Sequence, residues 1–425
     1  MHDLLEEMGK DIVYQESPND PGERSRLWFH DDVYHVLTEN TGTSKITGIK
    51  VELPKDSDVI CLSGITFSKM RNLRLFIHRS GCFSGVLEYL PNSLRVVDWP
   101  DCPFESLPSN FNPIKLAVLS MPECRITRIL EGFKLLKHLT SINLRNCEYL
   151  TKVPDLSGIP NLQTLDVMEC KNLVEVHHSV GFLDKLEEFS LNRCSSLSIF
   201  PTTASWNSLR SLWLYDCKRL ESLTEIVNKM QSIELLNLCG SGIKELPSWI
   251  GYLTSLRELD VSGTPIKELP SSIGGLISLK VLAVFGTHIE ELPSSVGDLT
   301  SLIGLVVSKS LITKLPSWIG YLTSLRELDV SGTPTKELPS SIGDLTSLTK
   351  LDVSETLITE LPSSIGGLTS LTELNVSETP IKEMPSSIGY LTSLKRLIVS
   401  GTLIEELPSS IGNLIGLKSL HVQRL

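Results

Sequence analysis

Apolar residues return along most of this chain in a fixed rhythm. Six-residue stretches with an apolar residue at positions one, four and six begin at Leu94, Leu116, Leu139, Leu162, Leu186, Leu209 and Ile233. They continue at Leu256, Leu279, Leu302, Leu325, Leu348, Leu371, Leu394 and Leu417. In Leu256-Arg257-Glu258-Leu259-Asp260-Val261 the last two apolar positions alternate with polar ones, which predicts a short half-buried strand. Each stretch is followed by a Leu-Pro or Met-Pro pair in the later part of the chain. The prolines fall at Pro247, Pro270, Pro293, Pro316, Pro339, Pro362, Pro385 and Pro408, a constant interval of 23 residues. The Pro-Ser-Ser-Ile-Gly stretch breaks the strand and turns the chain, with serine as the cap of a short helical turn. Fifteen such units run to the end of the chain, with an irregular one expected near Leu73.

One more position repeats. Eight residues after each leading leucine stands a small polar side chain. It is Cys102, Cys124, Cys147, Cys170, Cys194 and Cys217 in the earlier units, then Thr264, Thr287, Ser310, Thr333, Thr356, Thr379 and Thr402. The spacing of 22 to 24 residues makes these cysteines part of the repeat, and no close pair offers zinc ligands. They are expected to be buried, reduced thiols in a ladder of neighbouring units, where a hydroxyl or thiol bonds a backbone group.

These features are those of the leucine-rich-repeat pattern. The fold class expected is an α/β repeat, a leucine-rich-repeat solenoid forming a curved horseshoe with a parallel concave sheet. One unit buries too few side chains to offset the entropy of ordering it, so folding requires stacking. Fifteen strands would span roughly 70 Å at about 4.8 Å each. So extended a surface suits a protein partner better than a metabolite.

Residues 1–65 do not follow the repeat. Leu4, Leu5, Met8, Ile12 and Val13 fall at helical spacing; Asp31 to Leu37 is a second amphipathic stretch, and Ile46 to Leu53 reads as a strand. The domain division expected is an α-rich junction over 1–65 and repeats over 66–425. Three segments of the junction carry a more specific resemblance: Met-His-Asp-Leu-Leu-Glu-Glu-Met-Gly from Met1, then Arg24-Ser25-Arg26-Leu27-Trp28, then Asn40-Thr41-Gly42-Thr43. In that order they resemble the junction between winged-helix subdomain and repeats in plant intracellular TIR-type nucleotide-binding leucine-rich-repeat disease resistance proteins. The resemblance implies that His2 and Asp3 belong to a nucleotide-sensing motif, and that the repeats recognise a pathogen effector or a guarded host protein. It also implies that they restrain the nucleotide-binding domain of a receptor. The sequence has no GxxxxGK[ST] phosphate loop. It ends at Leu425 inside a repeat without a polar capping unit, so it is expected to be a fragment or the product of a truncated gene.

Composition narrows the alternatives. Net charge is -11, which disfavours a nucleic-acid partner. The N-terminus is acidic and no apolar run approaches a membrane span, so the expected location is cytoplasmic or nuclear, with no membrane partner. Histidines are scattered; the side chains of adjacent His177 and His178 are expected to diverge. Serines lack a GxSxG elbow, and no catalytic, cofactor or metal site is expected. Two other readings remain open: a generic intracellular scaffold, and the ectodomain of a secreted or membrane receptor. The missing signal peptide and the thiol ladder weigh against the second.

Partner contacts are expected on the strand face, two, four and six residues after each leading leucine. Apolar residues there are the informative exceptions. They are Trp213 and Tyr215 in one unit, then Val281, Ala283, Phe285 and Val306 in two consecutive units. Glu258 and Asp260 on one side, and Glu327 and Asp329 on the other, would form an acidic rim. An internal duplication sharpens this. Leu246–Pro265 is identical to Leu315–Pro334, at an offset of 69 residues. In the next unit the framework is kept, while Val281/Lys350, Ala283/Asp352 and Phe285/Ser354 all differ. With no phosphate loop to hold a nucleotide, calorimetry of the purified chain with ADP or ATP should detect no micromolar binding; such binding would assign the junction an activity of its own.

Overall fold

The computed structural model describes residues 3–52, 59–129, 135–223, 225–226 and 230–422. The chain divides into two compact units, Met1–Leu209 and Arg210–Leu425.

The first unit opens with helix α1 (Asp3–Glu16), in which Val13 is buried while Leu4, Leu5, Met8 and Ile12 are exposed. His2 lies outside the described residues. A turn over Pro21–Glu23 is capped by Asp20 and leads to helix α2 (His30–Thr38), which buries Val33, Val36 and Leu37. Arg24 holds this corner together from a buried position. Its guanidinium donates to the carbonyls of Ser17 and Pro18 at 2.8 and 3.0 Å and to the Asp32 carboxylate at 2.6 Å. A buried cation is tolerable when paired and hydrogen-bonded in this way. Thr43 closes the corner by donating to the Gly22 carbonyl at 2.7 Å.

Parallel strands begin inside the junction. Arg26–Leu27 pairs with Gly48–Glu52, which pairs with Leu75–Ser80, the strand of the irregular unit. Val96–Asp98, Val118–Ser120, Ser141–Asn143, Thr164–Asp166 and Glu188–Ser190 follow in register. Where the repeat spelling is loose, aromatic rings fill the core. Trp99 packs against Phe76 at 4.7 Å and Phe83 at 5.0 Å between ring centroids.

The second unit is more regular. Three-residue strands run from Ser211–Trp213 and Leu235–Asn237 through Glu258–Asp260 to Ser419–His421, each in parallel register with the next. The middle residue of each strand but the last is buried, as at Leu259, Leu282, Leu305 and Leu351; Leu420 on the last strand is exposed. On the opposite side, five-residue 3-10 turns such as Ser271–Gly275 and Ser340–Asp344 stack on one another. Their capping position is taken by proline, with no side-chain cap, so serine does not have the capping role its pattern suggested. The second serine of the motif is instead packed inside the stack: the hydroxyls of Ser272, Ser341 and Ser364 are buried with no hydrogen-bond partner. The glycine of the motif is required by the stacking. A Cβ on Gly343 would lie 2.4 Å from the Ser364 carbonyl oxygen of the next turn.

After the second unit's strands from Ser211–Trp213 to Arg396–Ile398 the backbone makes a left-handed corner. Gly263 and Gly286 adopt it at φ 64 and 62, whereas Lys309 and Glu355 do so at φ 51 and 55. A non-glycine residue there costs on the order of 1 kcal/mol. The residue after the corner is the repeated hydroxyl or thiol, and the two chemistries differ. Thr264, Thr287 and Thr333 donate to carbonyls three residues back, in their own repeat, at 2.6 to 2.8 Å. The thiols of Cys147, Cys170 and Cys194 reach a carbonyl of the preceding repeat at 3.1 to 3.2 Å. Cys124 bonds the Met121 carbonyl of its own repeat at 2.7 Å, so the ladder expected between units is made by Cys147, Cys170 and Cys194, while the threonine hydroxyls close the corner locally.

All nine cysteines are free, with Cys61 and Cys82 exposed and the six ladder cysteines buried. Burial pushes the Cys102 thiol up to about 12. Because the six ladder thiols are buried out of reach of a reagent, native protein treated with iodoacetamide near pH 8 should label Cys61 and Cys82 first, and the ladder thiols only after unfolding. A disulfide among Cys124, Cys147, Cys170 and Cys194 in non-reduced, alkylated protein would overturn this assignment.

Candidate functional site on the strand face

The ten candidate contact residues all lie in the second unit, and the strand register fixes their order. Glu258, Val281, Gly304 and Glu327 stand side by side on four consecutive strands. Asp260, Ala283, Val306 and Asp329 form the next row. Val281 and Phe285 are 37% and 41% exposed, while the intervening Leu282 and Val284 are fully buried. The alternation therefore runs in the phase the sequence pattern required: these side chains face outward. Ala283 and Val306 are half-buried between them.

Trp213 at the end of the first strand of the unit and Tyr215 just after it are half-buried. Trp213 is in register with Asn237, which is in register with Asp260. Two polar residues thus separate Trp213 from Ala283 along their row, and the structure does not bring the aromatic pair into the apolar patch.

The carboxylates have two roles. Asp260 accepts from the backbone N–H of Ser262 at 2.9 Å. Asp329 accepts from the N–H and hydroxyl of Ser331, and from the hydroxyl of Ser308 at 2.9 Å. Both aspartates fasten the corner that leaves the strand, a local hydrogen-bonding pattern typical of Asp and Asn. Glu258 and Glu327 are exposed, and among the described residues neither makes an ion pair. They are the acidic groups open to a partner.

Sequence reasoning missed two features of this surface. The Lys309 ammonium lies over the Phe285 ring, 5.7 Å from its centroid, a cation–π arrangement. The sign of it was a lysine at a corner position where Gly263, Gly286 and Gly332 stand in neighbouring repeats. The second is a basic row just before the strands. Arg257 pairs with Glu234 at 3.6 Å, Lys280 donates to the Ser301 carbonyl, and Arg326 is exposed. The patch is thus acidic along the strand rows only, and basic at one edge.

Among the described residues no group of His, Cys, Asp and Glu is placed to hold a metal ion. His177 and His178 do not diverge; their rings lie 4.1 Å apart, and His177 Nδ1 accepts from the Ser179 N–H. His177 caps the 3-10 turn that begins at His178. No described helix is long and apolar enough to cross a membrane.

Comparison with known proteins agrees with this geometry. The leucine-rich repeat region family matches residues 189–284 and 250–332. The TMV resistance protein N of Nicotiana glutinosa is 36% identical over 250 residues, 59% of this chain and 21% of that protein. The disease resistance protein RPP2A of Arabidopsis thaliana is 35% identical over 259 residues, 59% of this chain and 19% of that protein. This is a leucine-rich-repeat domain related to those of plant disease-resistance proteins. The alignments span about a fifth of the length of these relatives. A solved leucine-rich-repeat protein of Leptospira interrogans superposes with a TM-score of 0.65 and 25% identity, covering 78% of this chain and 85% of that one. Leucine-rich-repeat domains of this kind are non-catalytic interaction scaffolds, so this one is a protein-interaction module rather than an enzyme.

Phe285→Ser copies the residue at Ser354 in the duplicated block. Because Phe285 faces outward, the substitution should leave the melting temperature within about 2 °C of wild type, as expected of a surface change. Loss of the cooperative transition by circular dichroism would instead mark Phe285 as a core residue.

Proposed function

We propose that this domain recognises a protein through its strand face as part of plant immune signalling, the partner being a pathogen effector or a guarded host protein. The observation that carries the reading is the outward apolar window of Val281, Ala283, Phe285 and Val306 on a sheet face that is otherwise largely polar. Exposed aliphatic and aromatic groups have an unfavourable contact with water, and covering them is a recurrent source of binding energy. The relatedness to plant disease-resistance proteins supports the immune context. Within a full receptor the same domain would restrain the nucleotide-binding domain, acting in the cytoplasm or nucleus. The second aromatic pair, Trp213 and Tyr215, offers a separate contact point on the same face.

The test is a comparison of wild-type and Phe285→Ser chains by proximity labelling in leaf tissue, followed by calorimetry with the recovered protein. Phe285→Ser should weaken binding by about 1–3 kcal/mol, roughly 5- to 150-fold, with the fold retained. A partner that binds both chains equally would place recognition away from this window.

A further inference from the structure

The row Glu258, Val281, Gly304, Glu327 has a feature that exposure values alone do not convey. Gly304 sits where its neighbours carry outward side chains, and it is buried. A Cβ there would meet nothing closer than the two Val281 methyls, at 3.8 and 3.9 Å. The position is therefore a side-chain-sized notch with space above its floor, walled on one strand by Val281. Glu258 and Glu327 stand at the two ends of the row. Among the described residues neither carboxylate makes an ion pair. Lys350 is in register with Glu327 on the next strand, and Arg326 precedes it in sequence, yet neither forms an ion pair with it.

We propose that this row is a site for an extended protein segment of the form basic–x–apolar–x–basic, laid across the strands with its apolar side chain in the Gly304 notch. The proposal rests on the reading of the strand face as a partner surface and specifies the chemistry of the partner. Spacing selects the conformation. Three inter-strand steps separate the two glutamates, roughly 14 Å at about 4.8 Å per step. An extended chain advances about 3.3 Å per residue, so residues i and i+4 stand roughly 13 Å apart, and i, i+2 and i+4 face the same way. A helix advances only about 6 Å between i and i+4 and would leave one carboxylate unpaired. The two basic groups would each gain an unpaired exposed carboxylate, and the central side chain would fill a gap lined by valine. The charges give register and orientation, and the notch gives selectivity.

Fluorescence anisotropy with labelled synthetic peptides tests this directly. The probe carries Lys-Ser-Leu-Ser-Lys within a glycine–serine frame; one control replaces the leucine with serine, and another replaces both lysines with glutamate. The probe should bind at least about tenfold more tightly than either control. Gly304→Val fills the notch with a residue suited to strands and should reduce probe binding about tenfold or more while the melting temperature is kept. The double variant Glu258→Lys, Glu327→Lys should reverse the preference toward the glutamate peptide, which keeps the test decisive should Gly304→Val fail to fold. Equal binding of all three peptides, no binding of the probe at millimolar concentration, or a charge-swapped chain without reversed preference would overturn the proposal. Phe285 lies outside this row, so loss of a protein partner on Phe285→Ser would still uphold the broader surface even if every peptide failed.

Discussion

Stacking is the constraint on which everything else here depends. A 23-residue unit cannot enclose a core alone; its strand leucine, its valine two residues on and its turn isoleucine are buried only because another unit covers them. The requirement acts on both sides of the repeat. On the strand side it appears as the unbroken register of three-residue strands. On the turn side it appears as glycine at Gly343, beneath the Ser364 carbonyl of the next turn, and as serine hydroxyls shut inside the stack without partners. Those buried hydroxyls carry a desolvation cost, and the position varies between turns, with serine at 341 and tryptophan at 318.

The same constraint separates positions that must stay from positions free to change. Between the duplicated blocks, inward residues such as Leu282 and Leu351 are unchanged and fully buried. Outward residues at Val281 and Lys350, or Phe285 and Ser354, changed in size and charge with no consequence for packing. A repeat array can thus alter what it presents without altering how it folds, because the strand separates the two faces completely. The apolar window over Val281, Phe285 and Val306 is a local product of that freedom.

Corner chemistry links the two. The aspartates that look from sequence like a negatively charged rim are largely spent on holding the corners; Asp329 alone accepts from Ser331 and Ser308. The negative charge left for a partner is carried by Glu258 and Glu327, one row away. Lys309 occupies a left-handed corner that its neighbours give to glycine, and its ammonium covers the Phe285 ring. An incoming partner must displace that ammonium or accommodate it.

Much of the architecture was legible in the chain itself. The period of 23, the leucine spacing and the proline positions determine a stacked parallel sheet, since no other arrangement buries those leucines together. The two-residue alternation determines which side chains face outward, and the ladder cysteines could be placed from spacing alone. What the tertiary structure decided depends on contacts between units. That Cys147 bonds across to the previous repeat while Thr264 bonds within its own, that the sheet begins at Arg26 inside the junction, and that most of the apolar face of α1 stays exposed could not be read from periodicity. Nor could the pairing of Lys309 with Phe285, which lie 24 residues apart and meet only because one repeat lies beside the next. A repeating pattern specifies the unit and its inward face; the distances between side chains of neighbouring units exist only once the units are stacked.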